Sequence, residues 1–288
     1  MSALAERSRI AKPLPLITNR RVVHRTRGSR HGPITRLVSP SDIGRLIKPF
    51  VFLDHFDLQP KGSEWFGIHP HSGIATFTLL LNGSVAYEDT TGKSGVLPAG
   101  GLEWMRAGEG VWHDGRPADS SRMHGLQLWV ALPPELENAP PESQYVPPGD
   151  VPRDGPVSVA LGRYGALRSP VHAPPSINYL HVKLQDGERW RYQPPAGHNV
   201  AWAFAYEGQI DGPEPMAAGE LVVFEESNEA LEFLSRGETG FVLGSAVKHP
   251  HDLVLGYYSV HTSARALEQG EAEIQRIGMR LRAEGRLK

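Results

Sequence analysis

From residue 74 to residue 132 the chain repeats one short pattern, a brief apolar segment followed by a turn signal. Ile74 to Leu81 ends at Asn82-Gly83, a pair that favours the tight turn of a β-hairpin. Val85 to Glu88 leads to Thr91-Gly92-Lys93, and Ser94 to Leu97 leads to Pro98-Ala99-Gly100-Gly101. Leu102 to Met105, Val111 to His113 and Leu126 to Leu132 complete the series. Short segments at this spacing predict the strands of a β-sandwich or barrel. With 31 Gly and 25 Pro in 288 residues, long helices have little room.

The same reading extends outward. Pro49 to Phe56 is a dense apolar run and predicts a buried strand, while Val22 to Leu37 reads as strand, turn and strand. Residues 133–156 break the rhythm with Pro133-Pro134, Pro140-Pro141 and Pro147-Pro148, and we take them as the connection between two domains, 1–145 and 146–288. Strand-like segments then resume at Val157 to Leu161, Asn178 to Leu184, Val200 to Tyr206, Glu220 to Phe224, Ala230 to Leu234 and Phe241 to Ser245. After Ser263 proline disappears, and Ile274, Ile277 and Leu281 recur at helical spacing. One amphipathic helix is expected from about residue 264 to 284, with Thr262 or Ser263 as N-cap and its apolar stripe packed on a barrel.

Charge and cysteine content exclude several classes. Lys plus Arg is 30 and Asp plus Glu is 32, so there is no basic excess to neutralise phosphates. The one basic cluster, Arg20, Arg21, Arg25, Arg27 and Arg30, reads better as charges on a solvated strand, and no direct nucleic-acid partner is expected. No cysteine is present, which removes disulfides, thiolate metal sites and a Cys nucleophile and fits a reducing, cytoplasmic compartment. Residues 1–17 lack a basic stretch followed by an apolar core, so no secretory signal is expected. Ile74 to Leu81 is too short to cross a bilayer, and no membrane partner is expected. Neither a Ser-His-Asp set nor a nucleotide fingerprint is visible, and the acidic pairs Glu88-Asp89 and Glu225-Glu226 read as solvated groups near turns.

Thirteen histidines are present, and three stand apart. His69 and His71 flank Pro70, which holds the backbone extended. On an extended chain alternate residues share a face, so the two imidazoles converge where one ion can bridge them. His113 ends a strand about forty residues later, far enough to return to the same interior face of a small barrel. His249-Pro250-His251 repeats the pattern, but His261 follows too closely to serve as a matching third ligand, and we read it as a decoy. His55 and His124 read as satisfied, partly buried histidines, and Trp104, Trp112 and Trp129 as core, some of them able to wall a pocket.

Phe66-Gly-Ile-His-Pro-His-Ser-Gly73, Leu80-Leu-Asn-Gly83, Tyr87-Glu-Asp-Thr90, Pro98-Ala-Gly100, Glu103-Trp-Met-Arg-Ala-Gly108, Gly110-Val-Trp-His113 and Gly125-Leu-Gln-Leu-Trp-Val130 together resemble the pirin family. Pro49 to Asp54 resembles the stretch that precedes this motif, and Arg168-Ser-Pro170 carries a looser likeness in the second half. The resemblance implies an all-β fold of two tandem cupin, jelly-roll-like barrels with a C-terminal helix, and a metal site confined to the N-terminal barrel. It implies that His69, His71 and His113 hold one divalent ion of the iron type, with Zn, Ni, Mn or Cu as alternatives. The family's fourth ligand is a Glu two residues after the third His, and here that position is Gly115. The broader cupin pattern places a Glu four residues after the second His, and here that position is Ala75. Three outcomes stay open: a three-histidine site completed by water, a substitute acid such as Asp114 or Glu103, or a site that no longer binds metal. For activity the resemblance implies either a quercetin 2,3-dioxygenase-type enzyme acting on a flavonol-like aromatic substrate or a regulatory, redox-sensing protein with a protein partner. No catalytic side chain is assigned, because Gly115 removes the carboxylate that would act as base.

Overall fold

The computed structural model of the chain describes residues 20–60, 67–174 and 176–287. The expectation about residues 1–17, and Phe66 of the motif, lie outside the described residues. The expected all-β class is observed, with three larger antiparallel sheets and one long helix, Ala264–Ala283. A seven-stranded sheet runs in the order Glu142–Val146, Leu102–Arg106, Ile74–Asn82, Met123–Ala131, Phe50–Leu58, Ile34–Val38 and Ser29–His31. A four-stranded sheet, His69–His71, Val111–Pro117, Ser84–Asp89 and Ser94–Pro98, completes the first barrel. The nine-stranded sheet of the second barrel is built around Val200–Asp211 and the 16-residue strand Leu231–Ala246.

Alternation along the strands explains how the barrels pack. In Val200–Asp211, Val200, Trp202 and Phe204 join an apolar cluster between the barrels, while Ala201, Ala203 and Ala205 join the interior of the second. Both faces are buried, which is why this segment reads as a continuous apolar run. Ile74–Asn82 does the same from the other side: Ala75, Phe77 and Leu79 enter the inter-barrel cluster. Phe50 meets Trp202 edge-on at 5.5 Å, and Phe77 meets Tyr179 at 5.5 Å. Such aromatic pairs add to the apolar area they bury.

Three features depart from the pattern read in the sequence. Val22–Thr26 pairs with Glu220–Phe224, so the first strand belongs to the second barrel's sheet. The proline-rich stretch 133–156 contains a strand, Glu142–Val146, which pairs with Leu102–Arg106. Residue 145, where the sequence suggests a domain boundary, therefore lies within a strand, while the first described strand pairs with the second barrel. Asp89 is buried rather than solvated, accepting hydrogen bonds from Thr91 N, Thr91 Oγ1 and Tyr145 Oη.

The helix starts where expected. Ser263 Oγ accepts from Ala266 N at 3.2 Å, satisfying one of the free amides of the first turn. Its buried face is Ala266, Gly270, Ile274, Ile277, Gly278 and Leu281. That face packs on the first barrel, not the second: Trp112 Nε1 donates to Ile274 O at 2.8 Å. The small residues allow close approach, since a Cβ on Gly270 would lie 2.6 Å from Ser72 Oγ. Among the described residues no helix is long and apolar enough to cross a membrane.

Candidate metal centre

His69–His71 is a three-residue strand antiparallel to Val111–Pro117. The register sets His69 opposite His113 and His71 opposite Val111, so the i, i+2 pair and the distant histidine meet on one side of the sheet. The ring centroids lie 5.0 Å (His69–His71), 4.5 Å (His69–His113) and 5.2 Å (His71–His113) apart. One nitrogen from each ring falls within 4.8 Å of the others.

Outer contacts decide which nitrogens face inward. His69 Nδ1 is 2.9 Å from Gly67 O, and His71 Nδ1 is 3.0 Å from Tyr258 O. A carbonyl can only accept, so each Nδ1 carries a proton and each Nε2 keeps its lone pair. His113 Nδ1 lies 3.9 Å from Glu103 Oε1, which leaves its Nε2 3.1 Å from His69 Nε2. His69 Nε2 has a free lone pair, and His113 Nε2 either donates a proton to it or, with its own lone pair, shares a cation with it. Metal–imidazole bonds of about 2.1 Å set neighbouring ligand atoms roughly 3.0–3.4 Å apart, so the His69–His113 spacing fits one edge of a coordination polyhedron. Burial keeps the rings neutral, as ligation requires: it pulls His71 down to about 3, aided by His69, and lowers His69 and His113 as well.

No carboxylate joins the cluster among the described residues. Gly115 lies two residues beyond His113 on the same strand and adds no side chain. Ala75 enters the apolar cluster between the barrels, so an acid there would face that core instead of the histidines. Asp114 lies opposite Glu88, with its carboxylate 3.9 Å from Arg116 Nη1. Glu103 stands behind His113 instead of beside it. Its Oε2 accepts from Thr78 Oγ1, and burial, with Asp89 adding to it, pushes its carboxyl up to about 7.

The surroundings are aromatic. Trp129 meets His71 edge-on at 4.8 Å and stacks on Phe52 at 4.0 Å, with the Arg36 guanidinium 4.0 Å above the Phe52 ring. Tyr258 lies 5.9 Å from both His69 and His71. Trp104, by contrast, is wholly core. The sequence reading missed Tyr258, because no local signal ties a residue 187 positions away to His71.

The other histidines singled out in the sequence have partners elsewhere. His55 and His124 share a hydrogen bond, Nε2 to Nε2, at 2.8 Å. His249 Nε2 donates to Leu132 O at 3.2 Å, and His249 and His251 gather no third ligand among the described residues. A Ser72–His261–Glu137 chain does exist, with Ser72 Oγ 3.0 Å from His261 Nε2 and His261 Nδ1 3.4 Å from Glu137 Oε2. All three residues are 3% exposed or less, so this chain ties the C-terminal segment to the barrel and offers no nucleophile to a substrate.

Comparison with known proteins follows the same lines. Residues 33–130 match the pirin family. A Pseudomonas aeruginosa protein provisionally named a quercetin 2,3-dioxygenase is 34% identical over 243 residues, covering 78% of this chain and 83% of that protein. A pirin-like protein of Caulobacter vibrioides is 33% identical over 220 residues, covering 72% and 74%. Among solved structures, a quercetin 2,3-dioxygenase from Acinetobacter baumannii superposes with a TM-score of 0.83 at 20% identity, over 89% of this chain and 97% of that one. The bacterial pirin YhhW of Escherichia coli, in complex with nickel(II), superposes with a TM-score of 0.62 at 20% identity, over 80% and 98%. These likenesses establish the fold.

Proposed function

The chain belongs to the pirin family, and from that premise we propose that it is a metal-binding bicupin in which His69, His71 and His113 hold one divalent ion of the iron type. The observation that carries this is the approach of His69 Nε2 to His113 Nε2 at 3.1 Å while Gly67 O and Tyr258 O occupy the outward nitrogens of His69 and His71. Zn, Ni, Mn or Cu would suit the same imidazoles, and the nickel complex of YhhW is a relative with such an ion. Elemental analysis of freshly purified protein tests the site. Near-stoichiometric metal in the parent and its loss in His113→Ala are expected; no metal in either, even after incubation with each ion, would refute it.

The enzymatic form of this reading is a quercetin 2,3-dioxygenase-type oxidoreductase acting on a flavonol-like aromatic. Its support is the names of two relatives and the aromatic surroundings, Trp129 and Tyr258, against which a flat ring can lie. The ion, when bound, supplies Lewis acidity toward a substrate oxygen. His71 and His69 are oriented by backbone carbonyls, and Trp129 excludes water from one side of His71. A base for the substrate hydroxyl is missing from the cluster, since Glu103 is buried behind His113 and cannot touch a substrate there. Quercetin absorbance, followed under air with added Fe, Mn, Ni or Cu, tests the activity; no metal-dependent loss would remove it.

Two observations favour a second reading, a regulatory protein that binds a protein partner: the empty Gly115 position, and the burial of two of the three ligands, His71 at 2% and His113 at 9% exposed. On this reading the metal is structural or redox-sensing. Recovery of no stoichiometric partner from the native cell would count against it.

A further inference from the structure

The two barrels do not pack along their whole facing length. Beyond the contact of Phe77 with Tyr179, their sheets part around a cavity of about 390 Å³. The first barrel supplies apolar side chains to its wall, chiefly Leu79, Leu81 and Leu102. The second supplies Arg153, His181 and Lys183. Among the described residues no Asp or Glu lines the cavity.

Arg153 and Lys183 are not used by the fold. Neither side chain takes part in an ion pair or a hydrogen bond among the described residues. Arg153 nevertheless reaches across to the opposite wall: a Cβ on Gly100, a residue at φ +81°, would lie 3.7 Å from Arg153 Nη2. His181 is fixed by a 2.6 Å bond between its Nε2 and Tyr206 Oη. Burial lowers the His181 pKa to about 3, and the positive charges of Lys183 and Arg153 add to it. The cavity thus has an uncompensated positive side facing a leucine wall. A positive field focused by low-dielectric walls attracts an anion, and the apolar wall favours one that carries hydrocarbon.

We propose that this inter-barrel cavity is a second ligand site, distinct from the histidine cluster, for a small carboxylate on an apolar body. The carboxylate sits between Arg153 and Lys183, and the alkyl or aryl part lies against Leu79, Leu81 and Leu102. The volume falls within the range of small-molecule sites and is far larger than a bare inorganic anion needs.

Isothermal titration of the full chain, first stripped with EDTA and dialysed so that the histidine cluster holds no metal to bind a carboxylate, tests the proposal. The probes are 4-phenylbutyrate, its neutral analogue 4-phenylbutanamide, and inorganic phosphate. The carboxylate is expected to bind one-to-one, and Arg153→Gln and Lys183→Gln are each expected to weaken it by about tenfold, as the loss of one charge-assisted hydrogen bond does. Both side chains are exposed, so neither substitution disturbs the core, and unchanged thermal unfolding verifies this. The amide is expected to bind at least about tenfold more weakly than the acid. Absence of binding, equal affinity for acid and amide, equal affinity for phosphate and phenylbutyrate, or variants as tight as the parent would each overturn the proposal. None of these outcomes depends on metal binding at His69, His71 and His113.

Discussion

Gly115→Glu is the substitution that most directly examines the metal centre. Gly115 lies two residues after His113 on the strand Val111–Pro117 and is opposite Tyr87. Its φ lies outside the left-handed region, so an L side chain meets no backbone strain, and a new Cβ would find only Val85 Cγ1, at 3.4 Å. A half-buried valine can yield a few tenths of an ångström, so we expect the thermal midpoint to change little. The effect on metal should be larger. A carboxylate about 4 Å from a divalent ion, at an effective dielectric of about 20, gains roughly 8 kcal/mol in Coulomb energy. Desolvation of the carboxylate and ordering of its side chain offset most of that. A net gain of about 1.5–3 kcal/mol, or about ten- to a hundredfold in affinity, is the expected outcome. Competition against a chelator of known affinity measures it, with Gly115→Gln as a control of equal length and no charge. If neither variant tightens binding, position 115 does not face the cluster and the alternation argument fails; if Gln tightens it as much as Glu, the charge argument fails.

Further expectations follow from other contacts. Glu103→Gln keeps a partner for Thr78 but removes the carboxylate 3.9 Å behind His113, and it should weaken metal binding by about tenfold in the same competition assay, with an unaltered fold by circular dichroism. Gly270→Ala drives a methyl to 2.6 Å from Ser72 Oγ and 2.7 Å from His261 Nε2, so urea unfolding should show a loss of about 1–3 kcal/mol. In the metal-free protein, burial holds His55 and His198 near 4 and His181 near 3. Their folded pKa values lie below the unfolded value of about 6.5, so their stabilisation is complete above that pH and is lost as pH falls towards 3. Each proton that only the unfolded chain binds contributes roughly 1.4 kcal/mol per pH unit to that loss. Glu103, raised to about 7, and Asp54, also raised by burial, act in the opposite direction, but the histidines lowered by burial outnumber them. Urea midpoints should therefore fall steadily from pH 6.5 to 4.5; a flat profile would refute the burial argument.

Much of the first barrel is visible in the sequence because strands advertise themselves by period and by the glycines and prolines between them. Ile74–Asn82 and Glu220–Phe224 lie within a residue or so of where alternation puts them. Period says nothing about which strand a segment pairs with. Val22–Thr26 looks like part of the first barrel because it is near it in sequence, and only tertiary pairing shows that it belongs to the second. Prolines at 133–156 suggest a linker, yet Glu142–Val146 between them carries no proline and pairs as an edge strand. At the site, His69 and His71 declare themselves through spacing alone, and His113 through its place in a motif. The partners that orient the rings do not. Gly67 O and Tyr258 O are backbone atoms, whose use leaves no mark on the identity of the residue that supplies them. Ala75 illustrates the converse: counting from His71 suggests a ligand position, but strand alternation turns that residue into the inter-barrel core.

The course of the two chain ends has a consequence for how this protein can be taken apart. The first described strand is lent to the second barrel, and the hairpin of Val254–Leu255 and Val260–His261, with the helix Ala264–Ala283, is lent to the first, where Tyr258 O holds His71 and Ile274 O holds Trp112. Each half thus contains a piece the other cannot do without, like two hands with fingers crossed. Cutting the chain at its middle would leave one fragment without the carbonyl that aims an imidazole and the other with an unpaired sheet edge. The two barrels are therefore mutually dependent, so that a displacement of the backbone at Tyr258 is felt at His71, 187 residues away.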